Sequence, residues 1–215
     1  MSTLRTLSKF HSRLQGGGAR PNLFEVRLDA LPAAANNSTP KAQWGKTEQE
    51  DFAILCKAAN LPASNIASID VPFRGRTLKV AGDRTIDNWT VTIINDEDFR
   101  MRNAMEAWMN GIARLSNNTG ATNPDSYMVD AEVHQLGRGY SGKKHSTKSS
   151  DSTTTTKDVS VTPLKSYKFI DIFPVAISAI DLSYDSSDTI EEFTVEFAVQ
   201  SFESLSSDQT TINLK

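Results

Sequence analysis

With 215 residues, 38% of them hydrophobic, and a mean hydropathy of −0.39, the chain fits one domain with a buried core and polar insertions. Its 23 Lys and Arg against 26 Asp and Glu give a net charge of −3, which argues against a surface that grips phosphates throughout, because that affinity comes from clustered cations. The single cysteine, Cys56, excludes an internal disulfide, and no apolar run approaches the roughly 18–20 residues that span a bilayer.

Residues 1–18 carry Arg5, Lys9 and Arg13, and the first acid is Glu25. Two readings fit: a mobile arm hinged at the glycines 16–18, or an organelle transit segment, which shares this Arg- and Ser-rich, acid-poor composition. Residues 22–28 alternate with period 2 and predict a strand. The stretch 32–47 is rich in Ala, Asn and Pro around an isolated Trp44 and reads as an inserted loop. Residues 51–59 are expected to form a strand that stops at Leu61 and Pro62.

Residues 65–73 and 76–80 predict a hairpin with a basic tip, Arg74-Gly75-Arg76, where glycine allows the turn. Residues 85–94 form a half-buried strand, Trp89, Val91 and Ile93 on one face and Asn88, Thr90 and Thr92 on the other. Asn95 and Asp98 have capping-box spacing, and the acids at 96–98 suit the positive end of a helix dipole. The helix itself follows from Phe99, Met101, Met105, Trp108, Met109 and Ile112, and it ends near Leu115.

Strand pattern resumes at 127–134, with His134 on the polar face. The tract 137–163 is low in complexity and predicts an exposed, solvated segment. It holds five Lys or Arg against two Asp. Contact with an acidic partner suits it better than nucleic-acid binding, since only Tyr140 is available to stack on bases. Strands are expected at 166–173, 179–184 and 189–202. In the last, Phe193, Val195, Phe197 and Val199 face one way and Glu192, Thr194, Glu196 and Gln200 the other. A polar tail, 203–215, closes the chain.

Candidate catalytic and metal sites are absent from the pattern. The three histidines, His11, His134 and His145, and Cys56 show no ligand spacing. Cys56 reads as a small core residue. Gly137, Gly139 and Gly142 match GxGxxG, but the following KKHSTKSSDSTTTT lacks the helix that would hold a pyrophosphate. The carboxylates at 96–98 are explained by helix capping.

Four segments, ARPNLFEV (19–26), CKAANLP (56–62), FRGRTLKVAGDRTIDNWTVTIINDED (73–98) and SSDTIEEFTVEFAV (186–199), resemble, in order, the tail tube proteins of contractile-tailed bacteriophages. The resemblance implies a mainly β fold, an antiparallel β-sandwich or barrel-like domain with one flanking helix. Six subunits would close a ring with a continuous inner β-barrel. It divides the chain into an arm (1–18), a tail tube domain (19–202, insertions 32–47 and 137–163) and a tail (203–215).

The implied role is structural, with no catalytic, cofactor or metal site. Rings would stack through Arg74, Gly75, Arg76, Lys79, Asp83 and Arg84, and the face of Glu192, Thr194 and Glu196 would line the lumen. Implied partners are further copies of the chain, the sheath, tape-measure, baseplate and tail terminator proteins, and DNA that passes without sequence-specific binding. No membrane is involved. The virion would hold the protein after assembly in the host cytoplasm. Two other readings remain open: a tube subunit of a related contractile injection or secretion machine, and a monomeric β-sandwich binding module.

Overall fold

The computed structural model describes residues 7–14, 18–36, 42, 44–137, 159–161, 163–185, 188–205 and 212–214. Two compact units are formed, one from residues 1–25, 133–167 and 204–215, the other from 26–132 and 168–203.

Helices are α1 (Leu7–Arg13), α2 (Ala33–Asn36), α3 (Lys46–Leu55) and α4 (Arg100–Ile112). Strands are β1 (Phe24–Arg27), β2 (Cys56–Ala59), β3 (Ser64–Phe73), β4 (Arg76–Ile86), β5 (Trp89–Ile94), β6 (Val129–Gln135), β7 (Val159–Val161), β8 (Lys165–Ile177), β9 (Glu192–Ala198), β10 (Ser201–Leu205) and β11 (Ile212–Leu214). Neighbours in the main sheet run β1-β6-β8-β9-β5-β2, with β10 on β8. The pairs β2–β5, β5–β9 and β8–β9 are antiparallel. The fold is therefore mainly β, with few helices.

Alternation does what period 2 requires on β5 and β9. Trp89, Val91, Ile93, Phe193, Val195 and Phe197 are all buried, and each Trp89-to-Ile93 residue on the core face stands opposite its partner on the other strand. The Trp89 ring lies 4.8 Å from Phe169 and 5.2 Å from Phe197, and Trp108 of α4 lies 5.8 Å from Phe197. Met101, Met105 and Trp108 of α4 complete this core, at about 1.5–3 kcal/mol for each large side chain removed from water. The Trp108 indole N–H, buried with its ring, donates to the Tyr127 carbonyl at 2.8 Å.

Several elements differ from the sequence reading, each for a local reason. Residues 51–55 belong to α3, because the Gly45 N–H donates to the Glu48 carboxylate at 2.8 Å at the helix start and Phe52 is buried; only Cys56–Ala59 is strand. There is thus more than one helix. Within 32–47, Ala34 and Ala35 are buried in α2, and Trp44 packs edge-on against Phe52 at 5.9 Å while donating to the Leu28 carbonyl. Part of this stretch is buried helix, not loop.

The α4 cap is not Asn95 with Asp98. Asp96 accepts from the Arg100 N–H at 3.1 Å, and Phe99 occupies the N-cap with φ 53°. β8 runs straight through Phe173 and Pro174, because a register shift between Pro174 and Ala176 places the proline at a bulge, where no ladder donor is needed. Residues 179–184 are loop, not strand. The strand expected at 85–94 breaks at Asp87 and Asn88, and the one expected at 189–202 is divided into β9 and β10. In the other unit, β11 pairs antiparallel with β7, so the polar tail contains a strand. Residues 138–158 and the Gly139 and Gly142 positions lie outside the described residues.

Gly111 marks where α2 meets α4. A Cβ there would sit 2.3 Å from the Ala34 carbonyl oxygen, so backbone must move to admit even alanine. Gly111→Ala is expected to lower stability by about 1–3 kcal/mol despite alanine's better helix propensity. Chemical denaturation checks this, and an unchanged or raised midpoint would contradict the close approach.

Candidate assembly interface

β3 and β4 form a separate two-stranded ribbon. Its turn is the two-residue link Arg74-Gly75, with φ 47° and 79°, while Phe73 and Arg76 pair on either side. Positive φ at both central residues is the type I′ arrangement whose twist matches flanking strands. Glycine fits the second position readily; Arg74 at the first is held with its guanidinium 5.3 Å from the Phe73 ring.

The register sorts the ribbon into two faces. Ile69 stands opposite Val80, and Val71 opposite Leu78, with Phe73 and Arg76 next along the same face. Ser68–Ala81, Asp70–Lys79 and Pro72–Thr77 make the other. Every residue of β3 is exposed, Phe73 to 66%, and Leu78 on β4 to 62%. An isolated two-stranded ribbon is marginal in water, and five large apolar groups on one uncovered face are what an interaction surface looks like.

The residues singled out from sequence are therefore brought together on one element. Arg74 and Gly75 form the turn, and Arg76, Lys79, Asp83 and Arg84 are exposed or projecting on β4. Lys79 is ion-paired within the ribbon to Asp70 at 2.8 Å. The sequence reading missed the apolar face. The signal was available in the alternation of Ile69, Val71 and Phe73, but the reading stopped at the basic tip.

On β9, Glu192, Thr194 and Glu196 do face away from the core. Glu192 is ion-paired with Lys57, and a register shift between Cys56 and Ala58 in the β2–β5 ladder sits at that lysine. Glu196 accepts from the Asn88 amide at 2.8 Å, and Thr194 lies 3.4 Å from Thr92, hydroxyl to hydroxyl. The face is polar, with half its carboxylate charge answered.

His134, which its strand position put on the polar face, is fully buried, and its Nδ1 lies 2.9 Å from the hydroxyl of Ser166 on β8, itself buried. Cys56 is buried, and burial pushes its thiol up to about 12 against a backbone hydrogen bond to Ala58 that lowers it. No group of three or more His, Cys, Asp or Glu suited to a metal occurs among the described residues. No helix among them is long and apolar enough to cross a membrane.

The fold class is mainly β, a buried sheet core from which, among the described residues, the β3–β4 ribbon stands exposed. Residues 19–204 match the phage tail tube protein model, and the chain belongs to the tail tube protein family of contractile-tailed phages. It is 31% identical over 188 residues to the tail tube protein gp19 of Enterobacteria phage T4, covering 87% of this chain and 93% of that one. In fold it resembles the anti-feeding prophage tube-terminating cap (14% identity, 88% and 91% of the two chains, TM-score 0.52). It also resembles the sheath–tube complex of an extracellular contractile injection system (11% identity, 94% and 98%, TM-score 0.50).

The thiol supplies a check on the core. Native protein at pH 8–9 should react with a thiol reagent at least about tenfold more slowly than unfolded protein, as a buried, protonated sulfur must. Because the folded pKa is raised, the stabilisation from keeping this thiol protonated is present below the unfolded value near 9 and lost as pH rises towards about 12. Immediate labelling of folded protein at pH 8 would contradict this burial.

Proposed function

We propose that six copies of this chain close edge to edge into a ring with a continuous inner β-barrel, and that rings stack into a hollow tube inside a contractile sheath. The observation that carries this reading is the β3–β4 ribbon, whose apolar face is exposed among the described residues. The main sheet also ends on β1 and β2, two edges that pair with no further strand in the sheet path. Lateral pairing with neighbours satisfies such edges and removes an aggregation hazard.

The work of the protein is then assembly, not catalysis. The solved relatives named above include a tube-terminating cap and a sheath–tube complex, and this tube takes the corresponding partners: sheath and tail terminator outside and at its end, baseplate below, and the tape-measure protein within during assembly. Genomic DNA follows through the lumen without sequence-specific binding. Assembly occurs in the host cytoplasm, and the product is a virion component. The 31% identity to a phage protein favours a phage tube over an injection-machine tube, and the uncovered ribbon disfavours a monomeric binding module.

The face of Glu192, Thr194 and Glu196 lines the lumen in this reading. Hydroxyls and partly neutralised carboxylates present DNA with no unpaired cation, which limits adhesion. Tubes built from a Glu196→Lys, Glu192→Lys variant should retain short duplex DNA at low salt and release it as salt rises. Failure to retain DNA in intact tubes would remove these residues from the lumen.

The stacking claim is tested with Arg74→Glu, Arg76→Glu. The double variant should keep the wild-type melting temperature, since both residues are exposed at the ribbon tip, and should form rings that stack poorly by negative-stain microscopy. Unchanged tube lengths would take the tip out of the ring-to-ring contact.

A further inference from the structure

The connection from β8 to β9, residues 178–191, is tied at both feet and exposed between them. Ser178 donates its N–H to the Thr194 carbonyl at 2.8 Å, and its hydroxyl accepts from the Thr194 N–H at 2.9 Å. Its carbonyl accepts from the Arg102 guanidinium at 3.3 Å, and Arg102 is held in turn by Glu106 at 2.8 Å and lies 5.5 Å from the Phe193 ring. At the other foot, the Asn95 N–H donates to the Glu191 carbonyl at 2.9 Å and the Asn95 amide to the Glu191 carboxylate at 3.3 Å. A loop of this length with tied ends has the form of an Ω-loop, whose body is free to carry recognition.

Between the feet, Leu182, Tyr184 and Ile190 are exposed to 85%, 107% and 75%. The same segment holds Asp181, Asp185, Asp188 and Glu191 and no Lys or Arg. Uncovered apolar side chains set among acids suit a partner that is apolar and cationic at once.

Such an element stands at the start of the chain. Leu7 and Phe10 of α1, with Leu14 just beyond it, recur at i, i+3 and i+7 and share one face. All three are exposed. Lys9 and Arg13, four residues apart, are exposed as well. The first 20 residues hold four cations and no acid, which leaves −7 on the rest of the chain. Seven residues are too few for a helix to hold in water by propensity alone, so α1 gains most from a surface that covers its apolar face.

We propose that α1 of one copy docks on the 178–191 loop of a second copy, with Leu7, Phe10 and Leu14 against Leu182, Tyr184 and Ile190, and Lys9 and Arg13 facing Asp185 and Asp188. The proposal rests on the reading of the chain as a self-assembling subunit, which supplies the second copy; the spacing and charge of the two elements supply the contact. An amphipathic helix laid on an apolar surface is a different mode from strand pairing at the sheet edges, and it leaves the ribbon out. Burial drives the docking, and opposite charge fixes the pairing. Arg102 and Asn95 act as positioning residues: with the feet tied, the acceptor needs little further ordering, and the entropic cost falls on the arm.

Full-length protein tests this with two single variants, Phe10→Cys and Tyr184→Cys. Mixed in equal amounts and oxidised, they should cross-link at least about tenfold faster than either alone, while buried Cys56 stays unlinked. Lys9→Glu with Arg13→Glu on the Phe10→Cys chain should cut that rate about tenfold, and Asp185→Lys with Asp188→Lys on the Tyr184→Cys chain should restore it. Melting temperature controls for folding and should hold in every variant, since each altered residue is exposed.

A mixture that links no faster than the single variants would overturn the docking. A link formed only within one chain, when both cysteines are placed together, would do the same. So would wild-type protein that sediments with phosphatidylglycerol vesicles, loses this in Phe10→Glu and gives no cross-link, because α1 would then serve a lipid surface. Wild-type tubes without the cross-link remove this contact and leave the tube reading; cross-linked chains that never form rings do the reverse.

Discussion

The register of β5 on β9 is the constraint on which the rest depends. Trp89 opposite Phe197, Val91 opposite Val195 and Ile93 opposite Phe193 put six large apolar side chains on one face. A slip of β9 by one residue would send Phe193, Val195 and Phe197 to the polar side and bring Glu192, Thr194 and Glu196 against Trp108 and Phe169. Desolvating two carboxylates without partners costs several kcal/mol each, so no neighbouring register competes. Helix α4 locks the choice by laying Met101, Met105 and Trp108 over the same face.

That one register assigns the polar face of β9, which the lumen reading uses, and fixes which end of the ladder bears the ribbon. Core packing and assembly geometry are in this sense the same decision, taken by alternating residues in two strands.

Those strands were the most legible part of the sequence, because strict alternation of β-branched and aromatic residues with polar ones has one structural meaning. Helix α4 was legible for a similar reason, its apolar positions recurring at helical spacing. Helix α3 was not: KTEQEDFAIL has one buried residue, Phe52, so no apolar stripe announces it, and the strand signal of CKAA following at once extended backwards over it. Residues 179–184 failed in the other direction. Ile180, Leu182 and Tyr184 alternate as a strand would, yet they are loop, and the pattern that mimics a strand supplies an exposed apolar surface. His134 was misplaced because position on a strand tells which face a residue occupies but not whether that face is covered. The turn Arg74-Gly75-Arg76 was readable from glycine and charge, whereas the uncovered state of the ribbon depends on what else packs there, which only the fold reveals.

The most direct test of the account is a strand-resolving electron-microscopy reconstruction of the assembled, full-length protein. The predicted result is a six-fold tube in which each β3–β4 ribbon is covered by a neighbouring subunit, with Glu192 and Glu196 on the inner wall. A tube whose ribbons project into solvent or the lumen, or an assembly in which the Trp89–Phe197 ends of two subunits face each other, would contradict it.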